Sequence, residues 1–157
     1  MKLGYPCIKF QVFGEGWLQC AQSIASIGPE VFIKIPASKM GFEVVSKLNL
    51  PDRTTPPAVY SVGQVSAAEA LQVAYTATYY ARLRDAIENA DELFDQMQDV
   101  AFETELLVTS LQSKAQFLDL AARGFSTFAL PEPIARAFFE STLADKSIAD
   151  SENAARS

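Results

Sequence analysis

A single charge inside a short apolar run carries the most chemical information in this chain: Lys34, within Val31-Phe32-Ile33-Lys34-Ile35-Pro36. Gly28-Pro29 precede the run and Pro36 ends it, so the pattern predicts a short strand buried on both faces. An ammonium is costly to bury, and burial favours the neutral amine. A neutral lysine amine is a nucleophile that attacks a carbonyl carbon and forms a Schiff base. The plainer alternative is a lysine whose stem snorkels to the strand end, or one that pairs with a carboxylate.

Composition narrows the chemistry further. The chain has no histidine, which removes Ser-His-Asp and Cys-His systems and His-ligated metal sites together. Catalysis would have to rest on Lys, Asp, Glu, Tyr or Cys. A net charge of −6, without a cluster of Lys or Arg, argues against nucleic acid as a partner. No apolar run approaches a membrane span, and the N-terminus lacks the long apolar stretch of a signal peptide. Cys7 and Cys20 have no metal or redox spacing, which fits a reducing, cytoplasmic setting. No cofactor and no metal are expected.

Strand-like and helix-like segments alternate along the 157 residues, a length suited to one domain with a real core. Strands are expected at Cys7 to Phe13, at the Lys34 run, at Ala58 to Tyr60, at Ala74 to Tyr80, at Glu105 to Ser110 and at Phe125 to Leu130. Between them, helices are expected at Trp17 to Ile27, at Lys39 to Leu48 with Ser38 as N-cap, and at Ser61 to Val73. Further helices are expected at Asp85 to Phe102, the longest, at Lys114 to Arg123 with Gly124 as its left-handed C-cap, and at Pro133 to Glu140. Leu50 to Pro57 reads as a loop. No linker divides the chain, and no Gly-rich phosphate loop occurs. Six strands alternating with helices make an α/β fold with a parallel sheet, either an open doubly wound sheet or part of a (β/α)8 barrel.

The order and spacing of several motifs resemble the small transaldolase and fructose-6-phosphate aldolase family. Ile8-Lys9-Phe10-Gln11-Val12 and Val31 to Pro36, followed by Gly41-Phe42, are similar to its third and fourth strands. Ala58-Val59-Tyr60-Ser61 through Gln64 resembles the fifth strand and the helix after it. Tyr75 to Leu83, Glu103 to Ser110 and Gly124 to Pro131 resemble the sixth, seventh and eighth. Thr142 to Ile148 resembles the family's end. The resemblance implies a (β/α)8 barrel, incomplete here with about six strands. It also implies carbon–carbon bond cleavage or formation through a Schiff-base lysine, with Lys34 at that position. Gln11 matches a residue that helps hold the catalytic water, where a glutamine bonded to backbone is the plain alternative. Tyr79 would orient that water. Tyr80, its neighbour, is the competing choice, although a gap-free count from Gln64 favours Tyr79. Arg82 and Ser110 match the phosphate-binding pair; each could instead be an ordinary solvated charge and an ordinary helix N-cap.

The chain also departs from that pattern. The family's two leading βα units, which carry an Asp and a Thr-Thr-Asn-Pro-Ser segment, have no counterpart before Cys7. Pro57 stands where the fifth strand's Thr is expected, unless Thr55 substitutes through a shifted register. Arg84 precedes Asp85, so the Asp that usually follows the phosphate-binding arginine is displaced. The expected division is a partial barrel over residues 1–146 and a helical tail over 147–157. Two functions follow. One is a Schiff-base aldolase or transaldolase on sugar phosphates, weak or inactive as this chain alone. The other is a non-catalytic homologue that binds a sugar phosphate or serves in assembly. The resemblance also implies a homo-oligomer.

Overall fold

A computed structural model describes residues 8–140 and 142–156. Its elements alternate as β1 Ile8–Gln11, α1 Trp17–Ala25, β2 Val31–Lys34, α2 Lys39–Leu48, β3 Thr54–Thr55, β4 Pro57–Val59, α3 Val62–Ala70 and β5 Tyr75–Tyr79. They continue as α4 Tyr80–Ala86, α5 Ala90–Asp99, β6 Glu105–Thr109, α6 Lys114–Ala122, β7 Thr127–Phe128, α7 Glu132–Ala137 and α8 Thr142–Arg156. Cys7, placed in the first strand by its sequence, lies outside the described residues.

Every strand pairing is parallel, and neighbours follow chain order: β1-β2-β3 in one sheet and β4-β5-β6-β7 in another. A doubly wound sheet reverses its strand order at a switch point. Sequential winding with helices between the strands is instead the path of a (β/α) barrel. The fold is therefore an α/β partial barrel. Two apolar cores sit between the strands and the helices. One gathers Val12, Ile33, Ile35, Val44 and Val45; the other gathers Val59, Tyr80, Phe94, Met97, Val108 and Leu120.

Three expectations need correction. The segment read as loop plus one strand is two strands, making seven short strands among the described residues. Consecutive prolines at 56 and 57 have no N–H to donate, and Ala58 turns left-handed at φ 63°. Thr54–Thr55 therefore pairs with β2 while Pro57–Val59 pairs with β5. The long helix from Asp85 is two helices. Ile87 is extended at φ −141° and ends α4, and α5 restarts after Asn89 with Asp91 and Glu92 in its first turn. The Lys34 strand is buried on one face only. Val31 and Ile33 are buried, whereas Phe32 and Lys34 are half-buried on the opposite, inner face.

Candidate functional site

Strand alternation decides which side chains look inward. The Lys9 ammonium identifies the inner face because it touches three walls. It lies 3.4 Å from the Thr55 hydroxyl, 5.7 Å from the centroid of the Phe32 ring and 4.9 Å from that of Tyr75. Gln11 and Lys34, two residues beyond Lys9 and Phe32, and Tyr79, four beyond Tyr75, share that face at the strands' C-terminal ends. In barrels, the C-terminal rim is where chemistry is built.

Gln11 and Lys34 are direct register partners across β1 and β2. On its other side Lys34 is in register with Thr55, which is fully buried. Among the described residues, no carboxylate or hydroxyl pairs with the Lys34 ammonium. The loop beyond Lys34 is held by local geometry that only glycine permits. A Cβ at Gly41 would lie 1.9 Å from the Pro36 carbonyl oxygen. The Ser38 hydroxyl accepts the Gly41 N–H at 3.0 Å and caps α2 as its sequence suggested.

The other three candidates lie on the second sheet. Tyr79 ends β5, half-buried, with its ring edge-on to Tyr60 at 5.9 Å between centroids. Arg82, in the first turn of α4 and exposed, stacks its guanidinium carbon 4.7 Å from the Tyr79 centroid. Tyr80, the competing choice, points the other way. It is buried in the helix-side core, and its hydroxyl donates to Asp91 Oδ1 at 2.6 Å. Burial first, and then the Asp91 carboxylate, push the Tyr80 phenol up.

Ser110 follows β6 directly, at a left-handed φ of 62°. It is no helix cap: Ser113 caps α6 by accepting the Gln116 N–H. A non-glycine residue held in this region at a strand's end is the kind of strain that collects at ligand sites.

The fold thus joins Gln11 and Lys34 on one wall and Tyr79 and Arg82 on the other, with Ser110 at the end of the neighbouring β6. Thr55, the alternative to Pro57 for the fifth strand's Thr, stands beside Lys34 on this face. The sequence does not mark Lys9 as a site residue, although its spacing of two from Gln11 places it on the same face. Among the described residues, no group of three acids or thiols is placed to hold a metal ion, and no helix is long and apolar enough to cross a membrane.

Fold and inner face together define a barrel-type α/β protein with a lysine at the C-terminal end of an inner strand. Residues 8–157 match the family Transaldolase/Fructose-6-phosphate aldolase, and the chain belongs to that family. It is 26% identical over 141 residues to a "Probable transaldolase" of Coprothermobacter proteolyticus, covering 85% of this chain and 64% of that protein. A "Probable transaldolase" of Clostridioides difficile is 24% identical over 139 residues, covering 85% and 64%. One from Methanococcus maripaludis is 26% identical over 140 residues, covering 86% and 65%. The chain therefore spans just under two thirds of the length of the relatives it matches.

Proposed function

We propose that this chain carries the site of a Schiff-base aldolase or transaldolase acting on a ketose phosphate. Lys34 is the nucleophile. Its amine, after giving up a proton to water, adds to the ketone carbon, and the resulting carbinolamine loses water to give an iminium. When the hydroxyl on the carbon beyond the neighbouring one gives up its proton, the carbon–carbon bond between those two carbons breaks. The electron pair passes to the iminium, leaving an enamine on Lys34 and releasing an aldehyde. In an aldolase the enamine is protonated and hydrolysed; in a transaldolase it adds to a second aldehyde. The Gln11 amide and the Tyr79 phenol hold the water that moves these protons. The Arg82 guanidinium and the Ser110 hydroxyl hold the phosphate, which fixes the carbonyl against Lys34.

The observation that carries this reading is the register pairing of Gln11 with Lys34 at the rim of a family barrel. None of the five named residues is a carboxylic acid that could assist proton transfer, so slow turnover with a trappable Schiff base is expected of the chain alone. Borohydride reduction in the presence of fructose 6-phosphate or dihydroxyacetone, followed by peptide mass mapping, tests it. The expected adduct sits on Lys34 and vanishes in Lys34→Ala. An adduct on Lys9, the other inner lysine, would move the nucleophile. No adduct in a folded sample would leave the non-catalytic, sugar-phosphate-binding reading in its place.

A further inference from the structure

The proposed site is divided between two sheets. Lys34 and Gln11 lie on β1-β2-β3, and Tyr79, Arg82 and Ser110 lie on or after strands of β4-β5-β6-β7. A ketose phosphate spanning them would need the two walls held at a fixed separation. The walls meet along residues 54–59, where Thr54–Thr55 pairs with β2, the Pro56 carbonyl accepts the Ala77 N–H at 2.8 Å and Pro57–Val59 pairs with β5, but the ladder is interrupted at Pro56 and the Ala58 twist.

We infer that Gln64 is the positioning residue that straps the Lys34 wall to the Tyr79 wall. Its Nε2 donates to the Ala37 carbonyl at 2.6 Å, three residues beyond Lys34. Its Oε1 accepts the Tyr60 N–H at 2.8 Å and the Ser61 hydroxyl at 3.2 Å. Ala37 is bound a second time through its N–H, which donates to the Pro57 carbonyl at 2.9 Å. Tyr60 in turn bears edge-on against Tyr79, whose face carries Arg82. One amide thus connects the loop after Lys34 to the aromatic pair that seats Arg82.

The plainer role for Gln64 is half of a capping box, since the Ser61 hydroxyl accepts the Gln64 N–H at the start of α3. The chain contains a twin that separates the two roles. At α6, Ser113 accepts the Gln116 N–H, and Gln116 Oε1 accepts the Gln112 N–H at 2.8 Å. That arrangement reproduces the acceptor half of the Gln64 pattern. The donor bond to Ala37 is what the box does not require. Gln64→Glu therefore keeps the box and removes the strap, because a carboxylate cannot donate to a carbonyl.

The inference rests on the Schiff-base reading, and the test keeps the two apart. Borohydride trapping on Lys34 is compared in wild type and Gln64→Glu, with dihydroxyacetone, which carries no phosphate for the Arg82–Ser110 pair, and with fructose 6-phosphate, which spans both walls. Melting temperature confirms the fold of each. The expected result is a dihydroxyacetone adduct within about twofold of wild type. The half-saturating fructose 6-phosphate concentration should rise about tenfold, the loss of one well-placed charged-phosphate contact. Equal losses for both compounds, or no change in either, overturn the strap and leave a cap. If wild type forms no adduct at all, the Schiff-base reading falls, and hydrogen exchange then decides the strap. Inorganic phosphate at the Arg82–Ser110 wall should slow exchange in the peptide containing residues 34–37 in wild type and not in Gln64→Glu; absence of that difference overturns it.

Discussion

Ser110 holds a hydroxyl for the proposed phosphate and a backbone in the left-handed region, φ 62°. The two properties can be separated by substitution. Ser110→Gly removes the hydroxyl and the steric penalty together, so it should raise stability by about 1 kcal/mol in chemical denaturation. Ser110→Ala removes only the hydroxyl and should leave stability near wild type. Both should weaken capture of fructose 6-phosphate several-fold while sparing dihydroxyacetone. A glycine variant that captures the phosphate ester as wild type does would show that the hydroxyl makes no contact with it. Legibility at this scale followed strand alternation. Apolar neighbours mark Gln11 and Lys34 as strand residues, but the run around Lys34 reads as buried on both faces, so its half-exposed inner face comes from the fold. The strand of Thr55 has only two residues and runs into Pro56-Pro57, so its side is not legible either. Gln64 reads as part of a helix's first turn, and only the fold brings Ala37 to its amide.

Elements show what holds the lysine's strand from below. The Arg53 guanidinium donates to the carbonyls of Ala25 at 3.0 Å, Gly28 at 2.6 Å and Val31 at 2.9 Å. It thereby fastens the end of α1 and the start of β2 to the turn before β3. Arg53→Met leaves those carbonyls without this donor and should cost about 3 kcal/mol in urea unfolding. Arg53→Lys should recover little of it, because an ammonium lacks the planar fork. A loss below 1 kcal/mol would mean that water replaces the guanidinium without penalty.

The loop before β6 has an acid-sensitive counterpart. Glu69 accepts the N–H groups of Glu103 at 3.1 Å and Thr104 at 3.0 Å. Partial burial pulls its carboxyl upward, but these backbone donors outweigh it and hold the group below its ordinary 4.5. A depressed carboxyl binds its proton more readily in the unfolded chain. Its stabilisation is therefore complete above about pH 4.5 and lost as pH falls through the lower, folded value. Asp91 acts in the same direction, lowered first by the Tyr80 hydroxyl. Melting temperature should fall as pH drops below about 4.5, and less steeply in Glu69→Gln. An identical acid profile in that variant would assign the loss to other carboxylates. The split between α4 and α5 was the sequence's main failure at this scale. Apolar residues keep helical spacing through Ile87, and the extended backbone there has no Pro or Gly to announce it.

Among the described residues, one long helix lies on the surface of the whole molecule. Helix α8 is exposed along its described length, with Leu143 at 75% and Ile148 at 58% exposure, and Phe139 just before it at 86%. Isolated helices of about 15 residues are marginal in water, so such a helix needs an apolar partner. It runs unbroken from Thr142 to Arg156. The strand order of the barrel was legible because each motif is local and the motifs follow one another. The place of α8 was not, because a polar amphipathic helix reads alike whether it lies in solvent or against another chain. A second copy of the chain is the proposed cover. Removing residues 142–157 should then lower the mass measured by light scattering in solution, with the melting temperature of the remaining barrel little changed. A mass per particle equal to one chain both before and after truncation would sink that assignment. A shared drop in mass and melting temperature would instead make α8 part of the fold's own stability.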